Sequence, residues 1–188
     1  LICFFAGREV AKSAELKTIE AELYRANNIE SADTACMRIM TKDGITLLFT
    51  LTHACEKQFG PDMTISCEKG EVRWNSSKSS ISVSGGATEE MVNKNGDDLR
   101  ACVMEGILNK FADRNAFICD LDIAGTQTLA ANGAHESSKI NQIDGKLVFV
   151  QTVKDAYTQL ESKQHAVKGM DVAVMESYSK EKLFSELG

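Results

Sequence analysis

The sequence predicts an α+β fold in which one large, open, mainly antiparallel sheet carries helices on one face. Three observations support this prediction. Between residues 18 and 83, apolar side chains recur at every second position in one segment after another. A turn signal ends each segment, and Lys42-Asp43-Gly44 contains the Asp-Gly pair that is typical of tight hairpins. Two stretches with helical periodicity follow, which places strands first and the helices that cover them later.

The length, composition and net charge of the chain are those of an acidic globular domain. At 188 residues the chain allows one domain with an arm. A hydrophobic content of 43% with 26% charged residues is ordinary for such a domain. The net charge of −6 repels phosphate backbones, and no basic stripe interleaves with aromatic residues, which argues against a nucleic-acid partner. No apolar run approaches the ~20 residues that a membrane helix requires.

The cysteines favour reduced thiols over disulfides. They are widely spaced and contain no C-x-x-C pair, and most fall on apolar positions of predicted elements, where a thiol behaves as a small hydrophobe. This usage is typical of a reducing compartment and predicts a cytoplasmic protein. The six are Cys3, Cys36, Cys55, Cys67, Cys102 and Cys119.

The N-terminal half reads as a short helix followed by strands. Residues 1–7 resemble the end of an amphipathic helix that stops at Gly7, and the absence of an initiator methionine suggests a fragment of a longer protein. Asn27-Asn28 begins the first turn of the sheet. Strands are predicted over residues 17–26, 34–41, 45–55, 63–68, 71–75 and 81–84.

The C-terminal half is predicted to be mainly helical. Residues 87–96 are polar and predict a loop, and a helix follows over 97–113. A second helix begins at a cap, Asp120 or Asp122. Residues 147–150 fit either a buried strand or the start of a helix through Tyr157 and Leu160. The second helix is expected to turn inward Leu129, Ala130, Gly133, Ala134 and Ser137.

The domain organisation predicted from these elements is one domain and one arm. Residues 1–160 form the domain. Residues 161–188 are charged with sparse apolar side chains, which predicts a C-terminal arm.

The usual catalytic and cofactor-binding motifs are absent from the sequence. It contains no G-x-G-x-x-G, no G-x-x-x-x-G-K-[ST], no G-x-S-x-G and no H-E-x-x-H. His53 and Cys55 form the densest reactive cluster, on a predicted strand face with Phe49 and Leu51, but no spacing supplies further metal ligands. A histidine satisfied at the sheet end is favoured over a substrate contact.

Arg25 is a second candidate, with two interpretations left open. It alternates onto the face of Ile19, Ala21 and Leu23, with Asn27 two places further. An arginine at the end of an apolar face can fork onto a hydroxyl-rich or carboxylate ligand. It can equally pair with an acidic residue across the turn, either Glu30 or Asp33.

The other two histidines favour structural roles. His135 fits the C-terminus of the second helix, where an imidazolium is favourable. Glu161 and His165 fit a solvated pair.

Several segments resemble the C-terminal domain of the glucose–fructose oxidoreductase and inositol dehydrogenase (Gfo/Idh/MocA) family. Residues 22–34 (ELYRANNIESADT) carry the first part of the resemblance. Residues 51–53 (LTH), 60–61 (GP) and 68–74 (EKGEVRW) add to it, as does the helix over 120–138 that ends in Glu-Ser-Ser. Together the similar segments cover about residues 1–145.

The resemblance implies the substrate-pocket and oligomerisation domain of a two-domain oxidoreductase. In this family an N-terminal Rossmann domain binds NAD or NADP, and hydride transfer occurs at a sugar, cyclitol or related hydroxyl. The family's Glu-Lys-Pro lysine and its Asp…His pair have no counterpart here, so the chain alone is expected to be inactive and to bind no cofactor or metal. Arg25, Asn27 and His53 are the residues expected to bind substrate. The expected partners are the chain's own Rossmann domain, further copies through the sheet face, and a small polyhydroxyl substrate.

The alternative is a non-catalytic interaction module that uses its exposed sheet face. That face carries Glu20, Glu22, Thr46, Thr50 and Thr52, which suits solvent or a wet interface. Tyr24, Leu48 and Met40 make it less polar.

Overall fold

The elements were located in a computed structural model that describes residues 1–76, 80–85, 89–92, 99–154 and 159–187. The helices are α1 (Ile2–Phe5), α2 (Leu99–Ala112), α3 (Leu121–Ser137) and α4 (Met170–Lys180), with 3-10 turns at Gly145–Leu147 and Phe184–Glu186. The strands are β1 (Leu16–Arg25), β2 (Thr34–Thr41), β3 (Thr46–Thr52), β4 (Asp62–Cys67), β5 (Gly70–Asn75), β6 (Ser80–Ser84), β7 (Glu89–Val92), β8 (Ile140–Gln142), β9 (Val148–Lys154) and β10 (Glu161–Val167).

The predicted α+β class with open, mostly antiparallel sheets is confirmed. The strands of the described residues divide among three sheets where the sequence predicted one: β3-β2-β1-β8, β10-β9 and β4-β5-β6-β7. The chain forms two compact units, residues 1–57 with 119–188 and residues 58–118. The division separates the first three strands from the next four. The alternation of apolar residues continues from one unit into the next, so it did not indicate the boundary.

In the first unit, α3 packs on one face of the sheet. Ala21 and Leu23 on β1 form a buried cluster with Ala134 of α3. A Cβ atom on Gly133 would lie 2.4 Å from Cδ1 of Ile19, so this small residue lets the helix approach the strand closely. The inward positions predicted for Ala130 and Ala134 are confirmed, since both are buried.

Leu129 was predicted to point inward and is instead 57% exposed. The face of α3 that meets β1 is narrow because it is made of alanine and glycine. The leucine lies beside this face and reaches past it into solvent.

The end of α3 supplies hydrogen bonds to the edge of β1. The Ser137 hydroxyl accepts a bond from the Ala21 N–H at 3.1 Å, and the Ser138 hydroxyl accepts one from the Leu23 N–H at 3.3 Å. From Leu23 onward β8 runs parallel to β1. Asp120 is the N-cap of α3, with its carboxylate accepting a bond from the Ile123 N–H at 3.0 Å. The predicted Ser137 position is therefore in contact with the sheet, although its side chain is exposed.

The opposite face of this sheet is partly covered by the C-terminal segment, which the sequence predicted to be an arm. Residues after 160 instead form β10, α4 and a 3-10 turn, and Val174, Ser177 and Leu183 are buried. The Ser177 hydroxyl lies 3.4 Å from the Cys36 sulfur of β2 and donates a 2.6 Å bond to the Lys182 carbonyl. The sequence pattern did not indicate this packing because a serine supplies much of the contact.

The segment at 147–150, which the sequence left undecided, is largely strand. β9 pairs antiparallel with β10, with Val150 opposite His165. Within the first unit, the hairpin is linked to the segment after β3 through the Val167 N–H, which donates to the Ala54 carbonyl at 2.8 Å. Tyr157, part of the helical alternative, lies outside the described residues.

The second unit contains the sheet β4-β5-β6-β7, antiparallel throughout, and α2. Within the segment predicted as a polar loop, residues 89–92 form β7, because they pair in register with β6; the flanking residues 87–88 and 93–96 lie outside the described part of the chain. The helix predicted over 97–113 is confirmed as α2. Val103 and Phe111 of α2, which share the apolar periodicity that predicted this helix, are exposed.

Candidate functional site

The predicted substrate residues lie where three strand ends of the first unit meet. Arg25 ends β1, Asn27 is two residues beyond it, and His53 follows the last residue of β3. Asp33, just before β2, connects them through the backbone, because its carbonyl accepts the His53 N–H at 2.8 Å. Antiparallel pairing of β2 with both neighbours brings these ends to one edge of the sheet.

Asp33 fixes the loop that carries Asn27. Its side chain is 4% exposed, and its Oδ2 atom accepts bonds from the Ala26 N–H (2.9 Å), the Asn27 N–H (2.8 Å) and the Asn27 side-chain amide Nδ2 (2.8 Å). Its Oδ1 atom accepts a 3.2 Å bond from the Thr34 hydroxyl. Both oxygens of the carboxylate are therefore bonded inside the protein, and the carboxylate acts as a support for its neighbours.

Arg25 forms neither of the ion pairs that the sequence left open. Its Nε atom donates to Gln142 Oε1 at 3.0 Å, and one terminal nitrogen, NH1, donates to the Ile29 carbonyl at 2.6 Å. The second terminal nitrogen makes no hydrogen bond to the described residues. The guanidinium is thus held in place by two neutral acceptors and keeps its charge and donors for another group.

His165 was not among the residues predicted for the site. Its Nδ1 atom lies 3.0 Å from Oδ1 of Asn27, and its side chain is half-buried. The sequence interpretation was a solvated pair with Glu161. The contact with Asn27 joins residues 138 positions apart, so no local pattern could have indicated it.

His53 and Cys55 do not share a strand face, because β3 ends at Thr52. The Thr52 hydroxyl accepts a 3.0 Å bond from the Ala54 N–H and turns the chain. The ring of His53 is exposed and has no hydrogen bond to the described residues. The Cys55 thiol donates to the Lys57 carbonyl at 2.9 Å, and burial raises its pKa. This thiol lacks the activation that a nucleophile requires.

The described parts of the chain offer neither a metal centre nor a membrane-spanning helix. They contain no group of three or more His, Cys, Asp or Glu side chains placed to hold a metal ion. They also contain no helix that is long and apolar enough to cross a membrane.

A concavity of about 300 Å³ lies at the end of α2 in the second unit. It is lined by Ile107, Lys110, Phe111, Arg114 and Ile118. The Lys110 ammonium is already used to cap carbonyl groups, those of Arg114 at 2.7 Å and Ala116 at 3.0 Å. Three of the five lining side chains are apolar, and the Lys110 ammonium is turned to the backbone.

The cluster at the end of β1 is built for hydrogen bonding. It presents a charged donor on Arg25 and an imidazole on His165, each held by a neutral amide: Gln142 for the arginine and Asn27 for the histidine. Side chains fixed in this way lose little entropy when a ligand binds. Such a set of donors and acceptors suits a polyhydroxyl or anionic ligand.

No family model matches the chain, and no curated protein matches it significantly. Solved structures do match its fold. UDP-N-acetylglucosamine 3-dehydrogenase GnnA from Acidithiobacillus ferrooxidans, in two crystal forms, gives TM-scores of 0.56 and 0.55 at 16% identity, over 66% of this chain and 42% of that one. The WlbA dehydrogenase from Bordetella pertussis, in complex with NADH and UDP-GlcNAcA, gives 0.45 at 18% identity, over 67% and 40%.

The resemblance to this group of dehydrogenases is confirmed at the level of the fold. The chain spans less than half the length of the solved structures that it matches.

Proposed function

We propose that this chain is the substrate-side domain of an NAD(P)-dependent oxidoreductase that acts on a hydroxyl group of a sugar, a cyclitol or a related compound. NAD or NADP would be bound by a Rossmann domain that is not part of this sequence. The chain by itself would hold the substrate and would not transfer hydride. The observation that carries the proposal is the likeness of its fold to 42% of GnnA.

The division of labour follows from the chemistry of hydride transfer. The reaction requires a nicotinamide held against the carbinol carbon and a base that takes the hydroxyl proton. No phosphate-binding glycine motif occurs in this sequence. Its contribution would be to fix the orientation of the substrate, which lowers the barrier by positioning alone.

The substrate class that fits the candidate site best is a sugar nucleotide. GnnA is named for its action on UDP-N-acetylglucosamine. A ligand of this class offers both hydroxyl groups and a diphosphate. Arg25 suits the anionic part because its guanidinium has donors to spare, and His53 lies at the same edge for the polar remainder. Asn27, whose amide is bonded to Asp33, would support the site from within the protein.

Self-association through the sheet face is the second part of the proposal. α4 and the following 3-10 turn already occupy part of that face, through Ser177 and Leu183. An interface between copies would therefore use the uncovered part, around Thr46 at the start of β3. A pure interaction module would use the same surface, but it would not require the supported Arg25.

Calorimetric titration of the purified chain with UDP-N-acetylglucosamine tests the substrate role. We expect saturable binding that Arg25→Gln weakens about 10- to 100-fold, because a charged hydrogen bond is lost. Arg8→Gln is the matched control, since Arg8 is 82% exposed and pairs only at the surface with Asp43. A titration with NADH, in which the fluorescence of the nucleotide is measured, should show no binding.

Tight binding of NADH to this chain, or no binding of the sugar nucleotide, would refute the proposal. Sedimentation equilibrium tests the association. A strict monomer at high concentration counts against the oligomerisation role.

A further inference from the structure

The orientation of the Asn27 amide is fixed by Asp33. The Oδ2 atom of Asp33 faces two backbone N–H groups, those of Ala26 and Asn27, which can only donate. That oxygen therefore acts as an acceptor and must receive the NH2 group of the Asn27 side chain, at 2.8 Å. The amide oxygen of Asn27 then points the other way, toward His165.

The orientation of Asn27 in turn fixes the imidazole. An amide oxygen can only accept, so Nδ1 of His165, 3.0 Å away, must carry a proton and donate it. In the neutral ring the other nitrogen, Nε2, then holds a lone pair. No described residue bonds to Nε2, and the half-buried ring remains accessible.

We propose that His165 is a ligand-contacting residue of the candidate site, held by the Asp33–Asn27 pair in its Nδ1–H form so that Nε2 accepts a hydrogen bond from a ligand hydroxyl. The ligand class, a sugar or sugar nucleotide, rests on the proposed function. The form of the ring rests only on the geometry of Asp33, Asn27 and His165. Asp33 and Asn27 are positioning residues, since both oxygens of the buried Asp33 carboxylate and both polar atoms of the Asn27 amide are already bonded within the protein.

The support behind His165 is rigid at each step. Asp33 is buried, its backbone N–H donates to the Tyr24 carbonyl at 3.1 Å, and its carbonyl accepts from His53. His165 lies on β10 directly before Ala166 and Val167, which are 0% and 4% exposed. Asp33 and His165, the two ends of the hydrogen-bonded series Asp33–Asn27–His165, are thus anchored in packed structure, as a preorganised binding group requires.

Arg25 completes the arrangement with the opposite hydrogen-bonding character. It offers donors, whereas His165 offers an acceptor, and each is fixed by an amide side chain. A sugar hydroxyl both donates and accepts, so a ligand with several hydroxyl groups offers partners of both kinds. A simple anion would use Arg25 and leave Nε2 without a donor.

The form of the ring is tested by nitrogen-15 NMR of the imidazoles at about pH 8.5, where ordinary imidazoles are neutral. The chain has three histidines, so His53→Gln and His135→Gln assign the signals. We expect His165 to be the Nδ1–H form. Asn27→Leu should shift His165 toward the usual mixture of the two neutral tautomers. The matched control Asn28→Leu, at the exposed neighbouring residue, should leave the tautomer unchanged. A predominant Nε2–H form in the unaltered chain overturns the inference.

The contact is tested by titrating the same samples with UDP-N-acetylglucosamine. We expect the His165 Nε2 signal to move on binding, and His165→Phe to weaken affinity about 3- to 10-fold, the effect of one hydrogen bond. His135→Phe, at an exposed position, should bind as the unaltered chain does. Binding that His165→Phe leaves unchanged overturns the inference and spares the proposed function. No binding by the unaltered chain refutes the ligand contact together with the proposed function, whatever form the ring takes.

Discussion

Arg38 on β2 and Glu186 in the last 3-10 turn form a two-pronged ion pair. The NH1 atom of Arg38 donates to Glu186 Oε1 at 2.9 Å, and NH2 donates to Oε2. Glu186 Oε2 also accepts the Leu183 N–H at 3.0 Å. One carboxylate therefore closes the terminal turn and fixes it to the face of the sheet opposite α3.

This ion pair should make the attachment of the C-terminal turn sensitive to acid. The hydrogen bond from Arg38 lowers the pKa of Glu186 below its ordinary value of 4.5. A lowered pKa means that the stabilisation is present above 4.5 and is lost as the pH falls through the folded-state pKa. Amide chemical shifts of residues 183–186, followed between pH 7 and pH 3, should move through one transition below 4.5.

The control for the acid effect is Glu186→Gln, which cannot ionise. In this variant the amides of the turn should lack that transition and should resemble the acid form at every pH. A transition of unchanged midpoint and amplitude in the variant would assign the effect to another carboxylate. Glu22 is the first to examine, since it accepts hydrogen bonds from Ser185.

Leu183 should be the main apolar anchor of the same segment. It is 2% exposed, so Leu183→Ala leaves a cavity and should lower the free energy of unfolding by about 2–4 kcal/mol. Leu129→Ala is the matched control, because Leu129 is 57% exposed and its loss should change stability by no more than about 0.5 kcal/mol. Urea denaturation measures both. Equal effects of the two substitutions would show that the C-terminal segment is not part of the core.

The sequence predicted the local elements of the sheet better than its edges. β1 and β2 lie within one residue of their predicted bounds, because alternation is regular there and clear turns flank both strands. β3 was predicted to reach residue 55 and ends at Thr52, because its hydroxyl turns the chain. The alternation of apolar residues gives no indication of such hydrogen bonds between a side chain and the backbone.

Long-range placement could not be predicted from the pattern. α4 was missed because it buries only Val174 and Ser177, too few apolar residues to make a helical stripe. At the candidate site, Arg25 and Asn27 stood out from the alternation of β1. Their partners Gln142 and His165 come from strands more than 100 residues away and carry no local signal.

Gly7 should be intolerant of any side chain. A Cβ atom there would lie 1.8 Å from the Lys12 carbonyl oxygen, where the chain folds back so that the Ala14 N–H meets the Cys3 carbonyl at 2.8 Å. The obstacle is backbone and cannot rotate away. Gly7→Ala should therefore lower the free energy of unfolding by about 1–3 kcal/mol.

The matched substitution for Gly7→Ala is Gly125→Ala in α3. A Cβ atom at Gly125 meets nothing within 4 Å, and alanine favours a helix interior by about 0.5–1 kcal/mol. Thermal unfolding of the two variants should shift in opposite directions. A shift in the same direction would mean that the return of the chain after α1 differs from the one described.

The six thiols should react with an aromatic disulfide reagent in distinct classes. Cys67, Cys102 and Cys119 are exposed and should react fast, whereas Cys3 and Cys36 are 8% and 0% exposed and should require unfolding. Cys55 should form a slow class of its own, because burial raises its pKa above 9.0 and the thiolate is the reacting form. Its rate should keep rising with pH beyond 9.0. Cys55→Ser should remove this class alone, and loss of a fast class in that variant would contradict the assignment.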